Sequence, residues 1–198
     1  MSGDITKQTT LLTSHKGVDL HAATALHVMQ DRLEQGDRLA ALCRCELHTF
    51  WGEPAGVNME RLLDTGRFYN PNKHHYGHFE TTSSAPAWFD APTAGHDLES
   101  SWPGELKGSD LGAAAVAGPA FYDRLLGGPA ASGQTAVDVV SFPLGQAGPV
   151  LSGVLWRLLL TGDPASAVAA GRTLAVARHR KEGLLVNPHM ESWLTAAR

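Results

Sequence analysis

The densest set of side chains able to do chemistry lies between Asn70 and Glu80, in NPNKHHYGHFE, which holds His74, His75, His78 and Glu80. Imidazoles and carboxylates bind zinc and related metals, but a zinc site needs three or four ligands held at fixed positions. His74 and His78 would share a helical face, yet Pro71 and Gly77 argue against a helix there. On a strand, His74, Tyr76 and His78 face one way while His75, Gly77 and Phe79 face the other, so only two imidazoles converge. Glu46 and His48, on a neighbouring predicted strand, could complete a site. Two readings stay open. One is a metal-dependent or small-molecule-binding enzyme with a cleft lined by His48, His74, His75 and His78; the other is a polar strand whose histidines are solvated or hydrogen-bonded.

Other chemistries find less support, and no catalytic residue or cofactor is assigned. The Ser-Gly pairs at Ser2, Ser132 and Ser152 lack the G-x-S-x-G frame of a nucleophile elbow. Neither a phosphate-binding G-x-x-x-x-G-K-[ST] nor a dinucleotide-binding G-x-G-x-x-G occurs. The basic run Arg178 to Lys181 could meet a phosphate or an acidic partner, or simply be a solvated helix end. Cys43 and Cys45, the only cysteines, point to one face of a strand, where a disulfide would be strained. They read as small buried hydrophobes in a reducing compartment.

Composition narrows the class. Of 198 residues, 43% are hydrophobic and 18% charged, with a net charge of −4 and no basic stripe, so nucleic acid is not an expected partner. The stretch Met1 to Thr10 is polar, with no apolar signal core, and no run is long enough to span a membrane. The cytoplasm is the expected compartment.

The elements that would position these residues are legible from pattern. Residues 7–14 read as a strand, and Asp19 caps a helix over Leu20 to Leu33 with apolar spacing at Ala22, Ala25, Leu26, Met29 and Leu33. Residues 39–51 alternate, with Cys43, Cys45, Leu47 and Trp51 on one face and Arg44, Glu46 and His48 on the other. A short helix from Asn58 to Leu63 and a strand from His75 to Glu80 complete a β-α-β-α-β order. In the second half, a helix is expected over Gly112 to Leu126, and strands over Ala136 to Phe142 and Val150 to Leu160. Asp163-Pro164 opens a last helix whose final turns hold Arg178 to Lys181, with Gly183 as its C-cap.

The halves also resemble each other. Lys16-Gly17-x-Asp19-Leu20-x-Ala22-Ala23 and Asp31-Arg32-Leu33 have counterparts in Lys107-Gly108-x-Asp110-Leu111-x-Ala113-Ala114 and Asp123-Arg124-Leu125. Each half also reaches an Asn-Pro pair, Asn70-Pro71 and Asn187-Pro188. An internal duplication is therefore expected. Its units are residues 1–80 and 105–198, joined by a turn-rich linker at 81–104 that carries Trp88, Phe89 and Trp102. Those aromatics must pack on the protein's own core or on a partner.

The segment Glu182-Gly183-Leu184-Leu185-Val186-Asn187-Pro188-His189-Met190-Glu191-Ser192-Trp193 resembles the end of the second helix in the PurS family, the small subunit of formylglycinamide ribonucleotide amidotransferase. The strand ending at Lys16-Gly17 and its following helix are similar to that family's first half. The chain is more than twice the family's length, so the resemblance implies two fused units. It implies an α+β protein of two tandem ferredoxin-like units, antiparallel sheets backed by helices and related by a pseudo-twofold. It also implies a non-catalytic assembly role in purine biosynthesis, bridging synthetase and glutaminase subunits or self-associating, with neither nucleic acid nor membrane as partner. Asn70, Pro71, Asn187 and Pro188 would then be structural, and Glu191 and Trp193 would pack against or pair with a neighbour.

Overall fold

Stretches rich in β-branched and alternating apolar residues form long strands, and two capped segments cross between them. In this computed structural model the described residues are 6–50, 57–83, 96–97, 105–108, 116–117, 125–126, 130–146 and 148–197. The chain runs β1 (Thr6–His15), α1 (Leu20–Arg32), a 3-10 turn (Gly36–Arg38), β2 (Leu39–Phe50), α2 (Met59–Asp64) and β3 (His74–Ser83). It continues through the short β4 (His96–Asp97), β5 (Glu105–Gly108) and β6 (Val116–Ala117). Then follow β7 (Gln134–Pro143), β8 (Val150–Thr161), α3 (Pro164–Ala175) and β9 (Glu191–Ala197). The architecture is α+β, with the strands ordered β4-β9-β7-β8-β2-β1-β3-β5-β6. Every pairing between long strands is antiparallel; β4 runs parallel to β9.

Both halves contribute to one sheet, joined where β2 meets β8 from Leu39↔Leu160 to Phe50↔Val150. In the first half β1 lies between β2 and β3, and in the second β7 lies between β8 and β9. In each, the inner strand leads to the outer one by a helix-bearing connection that passes across the middle strand, α2 in one case and α3 in the other.

The outer strands also begin alike. The Asn70 side chain accepts from the Asn72 amide at 2.9 Å, and its carbonyl accepts from the amides of Lys73 and His74 at 3.0 and 2.8 Å. Asn187 does the same with His189 at 3.1 Å, and with Met190 and Glu191 at 3.0 and 2.9 Å. These are Asx turns, in which asparagine supplies the local acceptor that a turn needs. Pro71 and Pro188 occupy the next position of each turn. Neither asparagine ends a helix; each opens the turn that leads into a strand. Glu191 closes its own turn by accepting from the Asn187 amide at 2.7 Å, and the half-buried Trp193 packs on the core.

One backbone bond from the end of each middle strand fixes the correspondence between halves: Lys16 donates to the Lys73 carbonyl at 2.8 Å, and Leu144 to the Met190 carbonyl at 2.7 Å. Lys16 thus matches Leu144, and counting back along the strands matches Thr10 with Asp138. Thr10 faces Thr49 and shares a buried hydroxyl hydrogen bond with it at 2.9 Å. Asp138 faces Arg157, and there the same position holds a buried ion pair.

Three expectations need correction. Lys107-Gly108 does not match Lys16-Gly17: it lies in β5, pairing with His78 and Gly77 of β3. The expected helix over Gly112 to Leu126 is interrupted by β6, which pairs with β5; Gly112 on one side and Gly118-Pro119 on the other leave only Ala113 to Ala117 between them, too short a run to hold a helix despite its alanines. Asp110, Leu111, Ala113, Ala114, Asp123 and Arg124 lie outside the described residues, as do Trp51, Trp88, Phe89 and Trp102. Finally, α3 stops at Ala175 with Val176 as its C-cap, so Arg178 to Lys181 follow the helix instead of ending it. The amides of Leu184, Leu185 and Val186 fold back onto the carbonyls of Leu174 and Ala175, capping the helix through a hairpin. Gly183, at φ +70°, turns that hairpin, and a Cβ there would meet the Val176 carbonyl group at 2.0 Å.

Among the described residues, one hydrophobic core lies between the sheet and the helices α1 and α3. Met29, Leu42, Val137, Val139, Trp156, Leu158 and Leu160 pack with Ala167, Ala170 and Leu174. The small residues of α3 let the helix sit close: a Cβ on Gly171 would lie 2.8 Å from Val137 Cγ2 and 2.9 Å from Leu160 Cδ1.

Candidate ligand cleft

Strand alternation puts His15, Thr13, Leu11 and Thr9 of β1 on one face, beside Glu46, His48 and Phe50 of β2 and His74, Tyr76 and His78 of β3. In this face Leu11 stands between His48 and His78, so a full strand separates the two residues, whose backbones lie about 10 Å apart. His75 is on the opposite face. The four histidines therefore do not converge, and among the described residues no group of three or more His, Cys, Asp or Glu could hold a metal ion. The side chain of Glu80 lies outside the described residues.

Two of these histidines have local partners. His48 Nδ1 and Ser152 Oγ are 2.8 Å apart across β2 and β8, and His74 Nδ1 accepts from the Asn70 amide at 3.3 Å. Burial lowers the pKa of both imidazoles. Glu46 opposes the shift at each, while His15 adds to it at His74 and Arg67 at His48. An imidazole with a depressed pKa in the fold is protonated first in the unfolded chain. Stability is thus complete above the unfolded value of about 6.5 and falls as pH drops from there towards the folded value. Urea denaturation is expected to show stability declining between about pH 7 and pH 5, with a shallower decline for His48→Phe; an unchanged slope in that variant would contradict the assignment.

Covering this face is α2, whose start is fixed by Asn58 accepting from the Arg61 amide at 3.0 Å. None of its residues is buried, whereas α3 buries five. The chain then brings Phe68 against His48 and Phe50, with ring centroids 4.7 and 5.2 Å away, and Tyr69 against Tyr76 at 4.9 Å and 72°. Tyr76 and His78 lie nearly parallel, at 6.3 Å and 17°. Between α2 and these rings is an open cleft of ≈ 600 Å³, walled by Met59, Leu63, Tyr69, Tyr76 and His78, with Glu60 and Asp64 at its rim. That volume falls within the range of about 300–1,000 Å³ typical of small-molecule sites.

Comparison with known proteins gives no match, whether to a family model, a curated sequence or a solved structure. The chemistry of the cleft is therefore argued from its own residues. Of the expected histidines, only His78 lines it. Its tyrosines were not singled out from sequence, although Tyr69 and Tyr76 flank the Asn-Pro pair and share its polar, aromatic segment.

The sheet's other face is unrelated to this cleft. There Cys45 is buried and Cys43 half-buried, both as free thiols whose pKa burial raises. The Asp138–Arg157 pair lies on that face too. Two lone charges of opposite sign in AVDVVSF and VLWRLLL were its sequence signal. A second, shallower depression of ≈ 540 Å³ lies along the basic hairpin, lined by Arg178, His179, Arg180 and His189. No helix among the described residues is long and apolar enough to cross a membrane.

Proposed function

We propose that the protein binds a small molecule in the cleft beneath α2. The observation that carries this reading is the difference between two crossovers in matching places. In the second half, α3 lies flat on the sheet and buries Ala167, Ala170, Gly171, Leu174 and Ala175. In the first half, α2 buries none of its residues and leaves an aromatic-walled space. One half is thus the scaffold and the other the site. A thermal-shift screen of fragments is expected to yield ligands that stabilise the protein, and Leu63→Trp, which fills the cleft, is expected to abolish those shifts. Shifts that survive Leu63→Trp would overturn the reading.

The same comparison supports two tandem ferredoxin-like units that arose by duplication, each reduced to three long strands. The helix-bearing crossover that brackets the middle strand is the ferredoxin-like feature both halves retain. The free thiols suit the cytoplasm.

An assembly role of the kind the PurS resemblance implies has one observation in its favour. Leu144 and Met190, joined by a backbone bond, are 52% and 66% exposed, where the first half has Lys16 and Lys73. Exposed apolar side chains in a pair suit a protein contact. Self-association, or co-elution with synthetase and glutaminase subunits, that is lost in Leu144→Asp with Met190→Asp would favour this reading; no association at all would remove it.

A further inference from the structure

The charges around the cleft point to the class of its ligand, an inference that rests on the cleft being a binding site. Glu60 and Asp64 are one turn apart on α2, so both project along the same side of the helix, and both line the cleft. No lysine or arginine lines it among the described residues. Nearby cations outside the lining are already engaged: Lys16 Nζ donates to the Pro71 carbonyl at 2.9 Å, and the Arg67 guanidinium lies 5.0 Å over the Phe68 ring. Facing the carboxylates are Tyr69 and Tyr76, whose rings meet at 72° and form a corner. Met59 and Leu63 add apolar wall.

Aromatic faces attract cations through the ring quadrupole, and an ammonium bearing alkyl groups also gains from apolar contact. An anionic ligand would meet two carboxylates with no lysine or arginine in the lining to offset them. A neutral apolar ligand would leave the rim charges unused. We infer that the cleft takes an organic cation, an alkylated ammonium or a compact amine, seated in the Tyr69–Tyr76 corner with Glu60 and Asp64 at its open side.

The test uses the full chain, titrated with choline and with dimethylbutanol, its uncharged carbon isostere, and followed by calorimetry and by side-chain NMR shifts of Met59, Tyr69 and Tyr76. Choline is expected to bind about tenfold more tightly than the isostere, in line with a cation–π contribution. Tyr76→Leu should erase that preference. Glu60→Gln with Asp64→Asn, both at exposed positions, should weaken choline and leave the isostere unchanged. Equal binding of the two probes would overturn the cation assignment while leaving the cleft as a site. The same holds if neither binds but other fragments shift the cleft residues. If no compound of any charge shifts those residues, both the cation assignment and the binding-site reading fall.

Discussion

Arg157→Met is expected to cost about 3–5 kcal/mol of stability, a large loss for a single substitution. Arg157 is wholly buried, and its Nε and Nη2 donate to Asp138 Oδ1 and Oδ2 at 2.8 and 2.9 Å, a two-pronged pair between facing residues of β7 and β8. Removing the guanidinium takes this counter-charge from the Asp138 carboxylate, which is 2% exposed in a low-dielectric setting. The loss measures that buried charge deprived of its counter-ion more than the worth of the pair. Replacing both partners, with Asp138→Leu and Arg157→Met, is therefore expected to recover most of the stability, to within about 2 kcal/mol of the parent or better. The matched position of the first half makes the point structurally, since Thr10 and Thr49 fill it with two neutral hydroxyls. Urea denaturation of the two variants decides it. A double variant no more stable than the single one would mean that Arg157 serves mainly as packing.

The second large effect contrasts the two crossovers. Leu174→Ala removes a fully buried side chain from the α3 interface and is expected to cost about 2–5 kcal/mol. Leu63→Ala makes the same chemical change on α2, where the side chain is half-buried at the wall of an open cleft. There the surrounding structure loses few contacts, and a cost below about 1 kcal/mol is expected. The comparison holds the chemistry constant and varies only how well the helix is seated. Similar costs at both sites would mean that α2 seals its face as α3 does, and the asymmetry behind the proposed site would disappear.

Local chemistry made much of this fold legible. Asp19, Asn58 and Asp163 each cap the helix that follows, as their side chains require, and alternation placed Cys45 and Leu47 on one face of β2 with Glu46 and His48 on the other. The order of elements in the first half followed directly. Equivalence between the halves was harder. Both Asn-Pro pairs form Asx turns ahead of a strand, a local structure that recurs wherever the strand entry recurs. Lys-Gly followed by Asp-Leu did not coincide in the two halves, because those residues are compatible with both a strand end before a helix and the tail of a short strand such as β5, between β3 and β6. The end of α3 was misplaced for a non-local reason: residues 184–186 return to bond Leu174 and Ala175, and no pattern within the helix announces it. The site was only partly visible. A count of histidines drew attention to a segment that lines the candidate cleft, but strand alternation sent His75 to the other face and β1 separated His48 from His78. What makes the cleft is the failure of a short helix to bury its face, and that is a property of packing.

The central claim is that the first half holds an open ligand site where the second half is closed. Protein-observed NMR with a fragment that stabilises the chain tests it most directly, by mapping which residues shift on titration. Saturable shifts centred on Met59, Leu63, Tyr69, Tyr76 and His78, with α3 and its strands unaffected, are the predicted result. Shifts centred on α3, or on the basic hairpin from Arg178 to His189, with the α2 cleft silent, would contradict it.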